Sequence, residues 1–358
     1  MTTKTLKKLG LGNNGDTSGR NKADDRNLQG QDIVRCYKCD EGVRFVCKPC
    51  EAKVCKRCVG DHLETKTSPG FHRFAFYGKD DRMISSNPNV EGIVDKDENV
   101  KEVWSIALLP DLPESQRIIV CNDQSVMVYQ KQGGGGWSKN ELKRNIGDSI
   151  IRCIATSSSR ILYTATNCKN VYETDEYFST EGTRPFFAPE TDGWNPRGIA
   201  FSLVTPDHIW IGLYNAKLKK GNVIKVESNG TCVGYLGNET EEKPYINPRF
   251  LAENKNGDIC ISDSVGKKVF VLERKGALRF PYPPSENSTY VPRTVATDRQ
   301  CNILIAYPRN GIHIIDKNGE LLRIVEERTC PTACCVSLKD LLFVCSKDGD
   351  MKEITYLS

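Results

Sequence analysis

A short phrase recurs through the C-terminal three-quarters of the chain. Pro-Arg-x-x-Ala occurs three times, as PRGIA from Pro196, PRFLA from Pro248 and PRTVA from Pro292. Degenerate copies flank it: VWSIA from Val103, IRCIA from Ile151 and PTACC from Pro331. Successive copies lie 48, 45, 52, 44 and 39 residues apart, which makes six units. In each unit a second apolar run follows a turn: RIIVC (117–121), RILYTA (160–165), HIWIG (208–212), DICIS (258–262), NILIA (302–306) and LLFVC (341–345). A third run comes next: VMVY (126–129), NVYET (170–174), NVIKV (222–226), KVFVL (268–272), GIHII (311–315) and MKEIT (351–355). Short runs rich in Val, Ile and Tyr between Gly, Asn and Asp turn formers read as strands. Repeats of about 40–50 residues with several short strands each are the pattern of propeller blades. One blade cannot bury both of its faces alone, so the six predict a closed ring over 101–358. An N-terminal strand in 71–77 or 90–100 is expected to complete the last blade. A β-sandwich would account for the strands but not for the six-fold recurrence.

The second organising feature is a cysteine cluster near the front. Six of the 16 cysteines fall between Cys36 and Cys58, in the order Cys36-x2-Cys39-x7-Cys47-x2-Cys50-x4-Cys55-x2-Cys58-x3-His62-x9-His72. Two thiolates separated by two residues can pinch a tetrahedral ion from one tight turn, and Zn²⁺ prefers thiolate and imidazole ligands. Three such pairs and two of the chain's four histidines give eight donors, enough for two filled sites. Asp61, beside His62, is a less suitable oxygen donor for a thiolate-rich site. Filled sites leave no open position for water or substrate, so two structural Zn²⁺ are expected and no catalytic one. The other ten cysteines have no Cys-x-x-Cys spacing, and Cys121, Cys153, Cys260, Cys301, Cys334 and Cys345 lie in or beside strand runs, as small buried apolar residues do.

The ligand order resembles the B-box zinc finger of tripartite-motif (TRIM) proteins. The resemblance implies an interleaved cross-brace: Cys36, Cys39, Cys55 and Cys58 on one ion, and Cys47, Cys50, His62 and His72 on the other. Spacing alone also permits sequential pairing. The repeats resemble the NHL type, best over 247–280, where NPRFLAENKNGDICISDSVGKKVFVLERKGALRF carries the Pro-x-x-x-Ala, Asn-Gly-Asp-Ile, Ser-Asp-Ser and Val-Phe-Val order. Together the two modules look like the TRIM-NHL class, whose propellers bind proteins or, in some members, RNA. No RING cysteine set precedes the finger and no coiled coil separates the modules.

The expected architecture is therefore mostly β. It comprises a polar tail (1–31), a B-box-type two-zinc finger (32–77), a linker (78–100) and a six-bladed NHL-like propeller (101–358). No run of 18 apolar residues is present, so no membrane span is expected, and the N-terminus lacks the apolar stretch of a signal peptide, which points to a cytoplasmic protein. The net charge of +4 divides unevenly, +7 over residues 1–79 and −3 over the remainder, which argues against a general nucleic-acid binder. Residues at the second position of the repeated phrase are Trp104, Arg152, Arg197, Arg249, Arg293 and Thr332. Four arginines at equivalent places on consecutive blades predict a partial ring around the axis. They are candidates for an acidic peptide or a phosphate backbone, set against simple pairing with a carboxylate or carbonyl of the next blade. No aromatic residue is interleaved with the four arginines, as single-strand nucleic-acid binding would want.

No Gly-x-Ser-x-Gly, Walker loop or His-Glu-x-x-His occurs, and His208 and His313 lie inside strand runs, so catalysis is not expected. The expected role is a zinc-binding protein-interaction scaffold. In it the propeller holds a protein partner and the finger gives self-association or a second contact. An adaptor within a ubiquitin-ligase assembly and an RNA-binding regulator are the alternatives.

Overall fold

The computed structural model describes residues 45–47, 52–54, 74–76, 84–94, 102–109, 116–123, 125–133, 135–142, 149–237, 242–283, 291–325, 330–347 and 349–357. The chain divides into two compact units, Met1–Gly78 and Lys79–Ser358. In the first, β1 (Phe45–Cys47) lies between β2 (Ala52–Val54) and β3 (Phe74–Phe76) in an antiparallel three-stranded sheet. Cys47 ends β1, in register with Ala52 and Phe74. Its side chain and the other expected zinc ligands (Cys36, Cys39, Cys50, Cys55, Cys58, His62 and His72) lie outside the described residues.

The second unit is a six-bladed β-propeller. Five blades follow one another with four consecutive antiparallel strands each, after a first strand β4 (Ile84–Val94) that is set aside for the end. Blade one is β5 (Val103–Leu108), β6 (Arg117–Asn122), β7 (Val126–Lys131) and β8 (Trp137–Leu142). Blade two is β9 (Ile151–Thr156), β10 (Ile161–Ala165), β11 (Val171–Thr174) and β12 (Arg184–Phe187). Blade three is β13 (Trp194–Phe201), β14 (His208–Asn215), β15 (Lys220–Glu227) and β16 (Cys232–Tyr235). Blade four is β17 (Pro248–Glu253), β18 (Ile259–Asp263), β19 (Lys268–Leu272) and β20 (Leu278–Tyr282). Blade five repeats the plan with β21 (Val295–Thr297), β22 (Ile303–Tyr307), β23 (Gly311–Ile315) and β24 (Leu321–Val325). Blade six has only β25 (Pro331–Val336), β26 (Leu341–Ser346) and β27 (Met351–Leu357) from the C-terminal end, and β4 supplies its fourth strand. Met351 pairs with Val94, Ile354 with Val90 and Leu357 with Ile84.

That pairing revises the expected linker, since 84–94 of the 78–100 segment is a blade strand. It also decides between the two candidate closing segments: β3 belongs to the other sheet, and residues 90–94 of the 90–100 segment lie in the closing strand. The innermost strands touch in turn, β5 to β9 to β13 to β17 to β21 to β25 and back to β5, which closes the ring.

Burial explains the sequence pattern. β10, β18, β22 and β23 are buried at every position because both faces of a middle strand meet a neighbouring blade. Such strands read as continuous apolar runs rather than as alternation. Ile199 and Ile211 of blade three, Phe250 and Cys260 of blade four, and Val295 and Ile305 of blade five share one core cluster. Cys121, Cys153, Cys260, Cys334 and Cys345 are buried and reduced, as expected of small apolar residues, while Cys301 is partly buried. Burial pushes the Cys153 and Cys334 thiols up to about 11, so they are unreactive near neutral pH.

Polar pins hold one blade to the next. Thr164 Oγ1 donates to the carbonyl of Arg197 at 2.7 Å, Ser262 Oγ to that of Arg293 at 2.5 Å, and the Cys334 N–H to Thr294 Oγ1 at 2.7 Å.

Candidate functional site

Each innermost strand carries an irregularity at the second position of the repeated phrase. In blade one the register jumps from Val103↔Asn122 to Ser105↔Cys121, which leaves Trp104 without an opposite residue. Blade two skips Arg152 between Ile151↔Ala165 and Cys153↔Thr164. Blade four skips Arg249 and blade six skips Thr332 in the same way. Blade three fits Arg197 and Gly198 opposite a single residue, Gly212. In blade five Ala306 both accepts from the Arg293 N–H and donates to the Thr294 carbonyl, again two residues against one. A β-bulge re-aims a side chain out of the regular alternation. Here it turns one residue per blade away from the inter-blade core.

Those residues converge. The guanidinium carbon of Arg152 lies 3.7 Å from the centroid of the Trp104 ring, that of Arg293 at 4.9 Å and that of Arg249 at 5.0 Å. Blade four stands opposite blade one in a six-membered ring, so Arg249 meets Trp104 across the axis. Arg197 lies 5.6 Å over Tyr214 of its own blade and is close enough to Arg152 and Arg249 to repel both. The four arginines predicted as a partial ring therefore gather in one cluster, three of them over a tryptophan. Thr332, on blade six, is buried and carries no charge.

The cluster is short of negative charge. Glu102 pairs with Arg293, and Asp123 accepts from Trp104 Nε1. No ion pair of Arg152, Arg197 or Arg249 is found among the described residues. Arg152 Nη1 and Arg197 Nε are buried without any hydrogen-bond acceptor. Burial lowers the proton affinity of all three guanidiniums. At Arg249 burial acts first and repulsion from Arg293, Arg152 and Arg197 adds to it, bringing the group down to about 10. At Arg152 Asp123 and Glu102 oppose burial, while Arg197 and Arg293 reinforce it. All three stay charged at neutral pH.

Two expectations change here. Among the described residues, structural pairing describes only Arg293. For Arg197 and Arg293 it is the backbone carbonyl that serves the neighbouring blade, leaving the side chain to the axis. The expected lack of an aromatic among the arginines is also corrected, because Trp104 occupies the equivalent position of blade one and receives three of them. Its place in the series was the signal for it; Glu102 and Asp123 carried none. His208 and His313 lie on strands of blades three and five, away from this cluster, and His313 packs between Tyr282 and Tyr307. Among the described residues no group of three or more His, Cys, Asp or Glu is placed to hold a metal ion.

No family model and no curated protein matches the chain. Solved structures do match its fold. A gluconolactonase from Xanthomonas campestris has a TM-score of 0.56 at 12% identity, over 76% of this chain and 91% of that one. Virginiamycin B lyase from Staphylococcus aureus gives 0.52 at 10% identity, over 75% and 99%. The WD40 β-propeller domain of Doa1 gives 0.50 at 11% identity, over 74% and 95%. At such identities the likeness is one of architecture, and what it establishes for this chain is a β-propeller.

Proposed function

We propose that this protein is a non-catalytic recognition scaffold. Its propeller holds an anionic segment of a protein partner at the axial arginine cluster, and its front module, built around two structural zinc ions, makes a second contact. The observation that carries this reading is the meeting of Arg152, Arg197 and Arg249 at the axis with no carboxylate among the described residues to pair them. Like charges held together in a partly desolvated place repel, and an incoming anion relieves that repulsion. An acidic segment is therefore favoured in proportion to what the empty site costs. Arginine suits recognition rather than proton transfer, since it cannot give up its proton in the working pH range. The two nearby carboxylates, Glu102 and Asp123, are already engaged. For the front module the support is the donor set itself, six thiols and two imidazoles at metal-ligand spacing.

A capture experiment with the full chain as bait tests the propeller part. Acidic partners identified at about 50 mM salt should be lost when Arg152, Arg197, Arg249 and Arg293 are all changed to Ala. Retention of the same partners by that variant would refute the assignment of the axial face.

A further inference from the structure

We propose that Arg152, Arg197 and Arg249 form a three-sided socket for a single phosphoryl group, presented by a phosphorylated side chain of a protein partner. This rests on the axial site proposed above and names its ligand class. Three observations carry it.

The first is geometry. The three residues come from consecutive blades, so their guanidiniums approach the axis from directions about 60° apart around a six-membered ring. A carboxylate offers two in-plane oxygens and suits one guanidinium fork. A phosphoryl group offers three oxygens pointing in different directions, and three forks can each meet one. The second is charge. Among the described residues four guanidiniums face two carboxylates, and the excess matches a group carrying about −1.5 to −2 at neutral pH. Arg293, held by Glu102, is left as a flanking residue. The third is the unmet hydrogen-bonding capacity of Arg152 Nη1 and Arg197 Nε, two buried donors on adjacent blades with no acceptor. Such donors are costly to leave unpaired, and a phosphoryl oxygen between them would satisfy both.

Trp104 makes a nucleic acid a poor fit. A base would bind by stacking on its ring. The guanidiniums of Arg152, Arg249 and Arg293 already crowd that ring at 3.7, 5.0 and 4.9 Å. A base would have to displace the charges that attract its own phosphate.

The test uses the full chain and titration calorimetry with four probes: a degenerate phosphoserine peptide pool, the same pool with glutamate at that position, inorganic phosphate, and oligouridine. The phosphopeptide pool should bind at least tenfold more tightly than both the glutamate pool and inorganic phosphate. Arg197→Met and Arg249→Met should each weaken it tenfold or more, and Arg293→Met should do so less. The Met variants also report on folding. Because Arg197→Met and Arg249→Met each remove an unpaired, partly buried charge, their melting temperatures should equal or exceed that of the parent chain. Equal binding of the glutamate pool would overturn the phosphoryl assignment while leaving an acidic-segment site in place. Binding of inorganic phosphate as tight as that of the peptides would overturn a peptide-borne ligand. Tightest binding of oligouridine would overturn the protein partner as well.

Discussion

Glu253 and the axial arginines treat buried charge in opposite ways. The Glu253 side chain ends β17 at 2% exposure and accepts from four donors of blade three. These are Ser202 Oγ at 2.7 Å, the Val204 N–H at 3.2 Å, Trp210 Nε1 at 3.4 Å and the Leu203 N–H. Its charge is fully used in fastening two blades. Glu253→Ala leaves those donors facing a void, and a loss of roughly 3 kcal/mol is expected, read as a drop of several degrees in melting temperature. His313 is a second residue whose environment sets a measurable consequence. Its Nδ1 lies 2.8 Å from Tyr282 Oη and its Nε2 2.7 Å from Asn310 Nδ2, and burial pushes its pKa from 6.5 down to about 4. Between those two values the unfolded chain takes up a proton that the folded chain refuses. Stability contributed by the neutral ring is therefore present above 6.5 and lost as the pH falls toward 4, by up to about 1.4 kcal/mol per pH unit. Melts of the parent chain and of His313→Gln across pH 4 to 7 should differ in slope over that window and run parallel above it.

At the scale of elements, legibility followed burial. The inner three strands of every blade were readable because packing on both faces demands apolar residues throughout, as in KVFVL and GIHII, whose predicted bounds match β19 and β23. The outermost strands were not. β8 is exposed at four of its six positions and β16 at three of its four, so neither apolar run nor alternation marks them; pairing to the strand inside fixes their place. β4 was hidden for the same reason. Its sequence, ISSNPNVEGIV, contains a proline and several polar residues, which a sheet tolerates on an outer edge where one side needs no hydrogen-bonding partner. The arginine cluster was half legible. Recurrence gave the positions, but the bulges that aim them at the axis and the reach of Arg249 to Trp104 depend on ring closure. Closure also assigns β4 a disproportionate role, because without it β27 ends the sheet as an open edge. A chain beginning at residue 95 should aggregate or lose its cooperative melt, whereas one beginning at 79 should keep both, as followed by size-exclusion chromatography and circular dichroism. A folded monomer from the shorter chain would show that blade six stands on three strands.

For the whole molecule, the two units draw on different sources of stability. The propeller buries apolar clusters between its neighbouring blades and joins its two ends in one sheet. The segment in front of it is short and poor in apolar residues, and a domain that small needs a metal or disulfides to fold. With six thiols and two imidazoles at metal-ligand spacing, metal would supply that energy under our reading, and its removal should unfold the segment. Charge divides the same way. Residues 80–358 carry a net −3, yet four arginines are gathered at the axis, so positive charge is concentrated there in a unit that is negative as a whole. Partner capture at the axis should then be sensitive to salt but indifferent to metal, since the expected zinc ligands, Cys36 to His72, all precede the repeats. Treatment of the full chain with a strong zinc chelator is expected to release two equivalents of zinc, measured by elemental analysis. It should also make the first 78 residues sensitive to protease while the main melting transition and axial binding stay unchanged. Release of no zinc would refute the two-ion reading. Loss of the main transition on chelation would mean that the metal holds the propeller as well, and that the two units do not fold independently.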